Sequence, residues 1–121
     1  MEKNIEVSLL LDFYGELLKP SGREATYLYY NDDLSLSEIA EEVGITRQGV
    51  RDSIRRTERQ LFSFEEKLGL LSRFRELETG LDDIARTART IAEQSDSNEL
   101  SSLAQSIIQR VGELKEKKKK G

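Results

Sequence analysis

The chain has no cysteine and no histidine among its 121 residues. Without thiolate or imidazole it lacks the commonest nucleophile and base pair, and the usual zinc and haem ligand sets with them. No glycine-rich phosphate loop appears either, since the glycines are scattered at turns and helix ends. Enzyme chemistry is therefore poorly supplied, and no catalytic residue, metal or cofactor is expected. The lack of cysteine fits a reducing cytoplasm. The opening residues, MEKNIE, are charged and lack the apolar h-region of a signal segment, and no apolar run approaches membrane length. We expect a soluble cytoplasmic protein that does not engage a membrane. β-branched residues nowhere alternate in runs, and 36% apolar with 35% charged residues suits surface-rich helices better than a buried sheet. The expected fold class is all-α.

What is present is most informative between Ser35 and Arg59, SLSEIAEEVGITRQGVRDSIRRTER. Ser35 followed by Glu38 makes a capping box, so a helix begins at Leu36. Ile39, Ala40 and Val43 give it a narrow apolar face, and Gly44 stands where a left-handed residue ends a helix at little cost. Ile45 is expected to plug the inside of the turn. Thr46 is a good N-cap for a second helix after a connection as short as helix-turn-helix geometry requires. On that helix Val50, Ile54, Thr57 and Leu61 fall within one arc and form the core stripe.

Opposite them lie Gln48, Asp52, Arg55, Arg56 and Arg59, with Arg51 flanking and Arg47 in the first turn. A guanidinium fork bridges phosphate oxygens or the two acceptors of guanine, and glutamine pairs with adenine. These are the candidate nucleic-acid-binding residues. A surface helix bears outward charges in any case, but the charge layout is uneven. Residues 1–45 carry ten acids and three bases, residues 46–60 five arginines and two acids, and residues 61–121 eleven of each. The second helix is thus the one basic island in an acidic half. Asp52 is expected to orient Arg55 and Arg56, or to accept from cytosine.

Before the turn, residues 5–18 read as a helix with Ile5, Leu9, Leu10, Phe13, Tyr14, Leu17 and Leu18 covering more than one face. Pro20 stops it, and Ser21 with Glu24 makes a second capping box for a helix through Tyr30. Ala25, Leu28 and Tyr29 should point inward, Tyr27 and Tyr30 outward. Asn31, Asp32 and Asp33 offer oxygen donors for Mg²⁺, but such a segment is more often a solvated turn.

After the turn, Leu61, Phe64 and Leu68 carry the apolar stripe to Gly69, where the phase slips. Leu70, Phe74, Leu77, Leu81, Ile84, Ala88 and Ile91 then form a heptad seam. A polar connector, Gln94 to Asn98, leads to a last helix bearing Leu100, Leu103, Ala104, Ile107, Ile108, Val111 and Leu114. So short a connector makes the two helices an antiparallel hairpin. The seam packs within this hairpin, across a homodimer, or both. The organisation expected is a helix-turn-helix domain over 1–68, a helical extension over 69–114, and a disordered lysine-rich tail over 115–121.

The run LYYNDDLSLSEIAEEVGITRQGVRDSIRRTERQL, followed by EEKLGLL, resembles the YlxM-like family of small bacterial helix-turn-helix proteins, related to the DNA-binding fourth region of sigma factors. The likeness covers about residues 5–92. It implies a recognition helix from Thr46 to Arg59, with Arg47, Gln48, Arg51 and Arg55 as contacts. Family members are encoded beside the signal recognition particle GTPase, which implies a regulator or accessory of protein targeting. The pattern usually has alanine where this chain has Gly49, and glycine costs a helix about 1 kcal/mol relative to alanine. Two partners then compete: DNA or the RNA of the targeting particle, or the particle's GTPase met by a fold that has given up nucleic acid. Helix-turn-helix proteins usually enter a DNA major groove, whereas the major groove of A-form RNA is too deep and narrow.

Overall fold

A computed structural model describes residues 2–120, and among these it has six α-helices and no strand. They are α1 (Lys3–Tyr14), α2 (Pro20–Tyr30), α3 (Leu36–Val43), α4 (Arg47–Leu68), α5 (Leu70–Gln94) and α6 (Asn98–Lys120). The all-α expectation holds. The chain divides into two compact units, the first ending at Leu71 and the second beginning at Ser72.

In the first unit α4 serves two hydrophobic clusters. Its carboxy-terminal half contributes Leu61 to a cluster with Val7, Leu10, Leu11, Tyr14, Leu18 and Leu71. The α1 sequence is apolar on more than one side, and packing selects among the candidates. Val7 and Leu11 are buried, whereas Ile5 and Leu17, expected on the apolar face, stand 49% and 60% exposed. The helix also ends earlier than expected, at Tyr14, and gives way to a 3₁₀ turn over Gly15–Leu17.

Tyr14 ties this cluster to the joint between α4 and α5. Gly69 takes the left-handed conformation (φ 63°) and closes α4. The Tyr14 hydroxyl donates to Glu65 Oε1 at 2.7 Å and accepts the Leu70 amide at 3.1 Å. The Leu71 amide donates to the same Glu65 oxygen at 3.0 Å. Two amides at the start of α5, which have no partner within the helix, are thereby satisfied. Burial, and then the bond to Glu65, push the Tyr14 phenol above its ordinary range.

The second cluster is Ala25, Ile39, Val50 and Ile54, drawn from α2, α3 and α4. Its geometry depends on Gly22. A Cβ there would lie 2.6 Å from Thr57 Oγ1, so α2 crosses α4 closer than any other residue would allow. This crossing buries Thr26 completely. Two tyrosines take roles opposite to those expected. Tyr30 turns inward, packs against both clusters and donates its hydroxyl to Glu58, while Tyr29 is 38% exposed.

The start of α2 differs from expectation as well. Pro20 is its first residue rather than a stop for the preceding helix, because a fixed φ and a missing N–H suit the first helical turn. The proposed Ser21–Glu24 capping box does not form, since α2 begins one residue before Ser21 and Lys19 precedes it without a side-chain cap. The acidic segment Asn31–Asp33 is a turn. Asn31 closes α2 and takes a hydrogen bond from Ser8 at 2.7 Å, and Asp33 adopts φ 56°. Among the described residues, no three side chains converge as a metal site would require.

The second unit is the α5–α6 hairpin. Ser97 caps α6 by accepting the Leu100 amide at 3.2 Å, and Ser101 reaches back to the Ala92 carbonyl at 3.4 Å. The buried residues are small: Ala85 and Ala88 on α5, Ala104 and Val111 on α6. The heptad seam expected on α5 therefore splits. Ala88 packs within the hairpin, whereas Leu77, Ile84 and Ile91 are 45%, 51% and 44% exposed. Alanines bring the helices together along a line one position removed from the larger side chains. Lys115, expected in the tail, belongs to α6 and pairs with Asp82 across the hairpin. The side chains of Lys117–Lys120, and Gly121, lie outside the described residues.

Candidate nucleic-acid interface

The turn between α3 and α4 is built from local signals that the structure reproduces bond for bond. Ser35 Oγ accepts the Glu38 amide at 3.1 Å, and Glu38 accepts the Ser35 amide at 2.9 Å. That backbone bond holds the Glu38 carboxyl below its ordinary range. Gly44 ends α3 in the left-handed region (φ 78°) and donates to Ala40 O at 2.9 Å. Thr46 Oγ1 accepts the Gly49 amide at 3.0 Å and starts α4.

Ile45 does not plug the turn. It is 49% exposed and lies over Gly49, where a Cβ would stand 3.5 Å from its Cδ1 and 3.1 Å from Thr46 Oγ1. The small residue lets the capping hydroxyl and the isoleucine close over the first turn of α4.

The stripe Val50, Ile54, Thr57 and Leu61 is buried as expected. With α4 fixed through this face, Arg47, Gln48, Arg51, Asp52, Arg55, Arg56 and Arg59 are all exposed. Arg47, Arg51, Arg55 and Arg59 recur every four residues, so they form one ridge climbing the outside of α4. Neighbours are about 6 Å apart along the axis and the whole row spans about 18 Å. Arg56 stands beside it. Among the described residues, no ion pair or hydrogen bond occupies any of these five guanidinium groups.

Of the two acids on this stretch, Glu58 is turned away. It is held by Tyr30 and by Lys3 Nζ at 3.0 Å, and its side chain is 13% exposed. Asp52 remains, and it accepts from Gln48 Nε2 at 3.0 Å instead of orienting Arg55 and Arg56. The face thus presents five arginines against one carboxylate, more positive than composition implied. Gln48 keeps its carbonyl and one N–H for a ligand while Asp52 holds the other. The ridge itself was not drawn from the sequence, although the four-residue spacing would have given it.

Arginines at this spacing repel. Like charges at i and i+4 destabilise a helix by about 0.2–0.5 kcal/mol per pair, and the ridge contains three such pairs. A chain selected for stability alone would alternate the sign of charge along this row. An anion laid along it removes the repulsion.

Compared with known families, residues 1–101 match the one described as "Putative helix-turn-helix protein, YlxM / p13 like", UPF0122. The chain belongs to the UPF0122 family. The UPF0122 protein of Thermoanaerobacter sp. strain X514 is 42% identical over 108 residues, which are 89% of this chain and 92% of that protein. A UPF0122 protein of Acetivibrio thermocellus is 40% identical over 116 residues, 96% of this chain and 99% of its own length. One from Bacillus cereus strain AH187 is 44% identical over 99 residues, 82% and 87% of the two chains. The helix-turn-helix of this UPF0122 chain is the α3–α4 pair. Among the described residues no helix is long and apolar enough to cross a membrane.

Proposed function

We propose that this UPF0122 protein binds nucleic acid through the outer face of α4 and acts in the cytoplasm, as a homodimer, as a regulator or accessory of the signal recognition particle pathway. The observation that carries the reading is the ridge of Arg47, Arg51, Arg55 and Arg59. Four guanidinium groups, without partners among the described residues, follow one line on a helix whose other face is locked into the core. Phosphate contacts to such a row position the helix, and base edges are read by the residues nearest its amino terminus. We assign the first role to Arg51, Arg55, Arg56 and Arg59, and the second to Arg47 and Gln48. The ligand is either duplex DNA, entered through its major groove, or the RNA of the targeting particle, met along its backbone or loops.

The link to protein targeting rests on the family resemblance in the run from Leu28 to Leu61. It leaves room for a second reading, in which the same arginines meet an acidic surface of the particle's GTPase. Fluorescence anisotropy with duplex DNA, the particle's RNA and the GTPase as separate probes distinguishes the two. Binding to a nucleic acid at about 50 mM salt, where phosphate contacts are strongest, is the expected result. Retention of the GTPase alone, lost on Arg55→Ala, would transfer the function to the second reading.

A further inference from the structure

The α5–α6 hairpin carries more apolar surface than its own packing uses. Leu77, Ile84 and Ile91 on α5, with Leu100, Leu103 and Ile107 on α6, are each between 42% and 57% exposed. They are not scattered. Leu77, Ile84 and Ile91 are spaced by seven, and Leu100, Leu103 and Ile107 by three and four, which is the repeat of a packed helical seam.

These outer seams share one face. At 100° per residue, each lies roughly 70–90° to the same rotational side of the inner seam that holds α5 to α6. Because the helices are antiparallel, equal rotation brings both outer seams to the same side of the hairpin. Ile84, Ala88, Ile91 and Ile107 accordingly line one shallow groove of about 280 Å³. Each helix has an inner seam for its neighbour and an outer seam beside it, and helices in four-helix bundles have this double pattern. A hairpin with both outer seams on one face is half of such a bundle.

We infer that this face docks a second copy of the chain, hairpin on hairpin, to complete a two-fold four-helix bundle. Area supports the assignment. Six aliphatic side chains at about half exposure leave on the order of 400–500 Å² of apolar surface, the upper end of what a monomer carries. That is also the apolar share of the roughly 800 Å² per partner in a standard interface. Charge supports it too. From residue 72 onward the chain has ten bases and nine acids, net +1, so two copies meet without long-range repulsion. The rim mixes signs, with Asp83 on α5 and Glu99 and Arg110 on α6. A self-complementary surface requires this, because a rim of one sign would repel its own copy. Nucleic acid is a poor occupant, since the centre of the face is aliphatic and holds no cation.

The proposal names the surface behind the homodimer of the proposed function and stands whether or not α4 meets nucleic acid. It is tested on the full chain by sedimentation equilibrium and circular dichroism. Wild type at about 50 µM should weigh twice the 13.8 kDa of one chain. Ile84→Lys and Leu103→Lys, at the two most exposed of the six positions, should each shift the mass to one chain with helicity kept. A monomeric wild type at about 100 µM, or a double variant that remains dimeric, overturns the proposal. A monomer that uses this face to hold the targeting GTPase, losing it on Leu103→Lys, overturns it as well. Should a variant unfold, hydrogen exchange of the wild type at two concentrations decides. Amides of α5 and α6 that slow with concentration support the bundle, and concentration-independent exchange refutes it.

Discussion

Arg51→Ala is expected to weaken binding and raise thermal stability at once. Arg51 stands in the middle of the ridge, with Arg47 and Arg55 four residues away on either side. Its removal deletes two like-charge pairs, each costing about 0.2–0.5 kcal/mol, so the free protein should gain up to about 1 kcal/mol and melt a few degrees higher. Binding moves the other way. Four phosphate contacts on duplex DNA give a salt slope of about −3.6, or roughly a 150-fold loss of affinity between 50 and 200 mM salt; three give about −2.7 and roughly 40-fold. Anisotropy titrations across that range, alongside melting followed by circular dichroism, read both effects. Arg51→Lys retains the charge and should retain the slope. An unchanged slope in Arg51→Ala would show that this arginine touches no phosphate, and a lowered melting point would show that the ridge is not under the repulsion argued here.

Four further outcomes follow from the packing. Ile39→Ala and Val50→Ala remove fully buried methyl groups and should each lower stability by about 1–4 kcal/mol in urea titrations, while Leu34→Ala, at the half-buried edge of the same cluster, should cost less; unchanged midpoints would misplace the crossing. Gly22→Ala should destabilise despite the better helix propensity of alanine, by about 1–3 kcal/mol, because its Cβ would meet Thr57 Oγ1 at 2.6 Å; a second change, Thr57→Ala, should recover part of the loss, and no recovery would argue against that contact. Thr26→Val keeps the shape and removes a buried hydroxyl that has no hydrogen-bond partner, so it should be neutral or stabilising by about 1 kcal/mol, and a clear loss would mean the hydroxyl is used. Burial, and then the carboxylates of Glu65 and Glu58, raise the phenols of Tyr14 and Tyr30 above the ordinary 10.0. The unfolded chain therefore releases these protons first, and stability should be level below about pH 10 and fall above it; a urea midpoint that stays flat from pH 9 to about pH 11.5 would contradict this.

The sequence read best where short-range chemistry decides the structure. Ser35 with Glu38, Gly44, and Thr46 ahead of Gly49 are signals within four residues of their partners, and each forms the bond its spacing implies. The stripe from Val50 to Leu61 was legible because a long helix in contact with a core shows its period. Where a distant contact sets the rotation of a helix, the reading failed. Tyr29 and Tyr30 are adjacent and chemically identical, and the inward place goes to Tyr30, whose hydroxyl partner Glu58 lies 28 residues away. The α5 seam misled for a related reason, because large aliphatics mark the period but alanines mark the closest approach. Glu65 as a cap for α5 left no signal, since Tyr14, which completes it, lies 51 residues away. For the arginines, exposure follows from the buried stripe opposite them, and what they contact is a matter for the titrations.

Because α4 is shared between two clusters, its two ends need not open together. Four buried residues hold the half that bears the turn, and seven hold the half that meets α1. Cooperative units with less buried surface open more often than the rest of a domain. The weaker unit here is the one that would lie against a ligand, so binding would act as a splint on the half most prone to breathe. Amides near Ile39 and Val50 should then exchange more slowly once the ridge is occupied, with those around Leu61 left as they were.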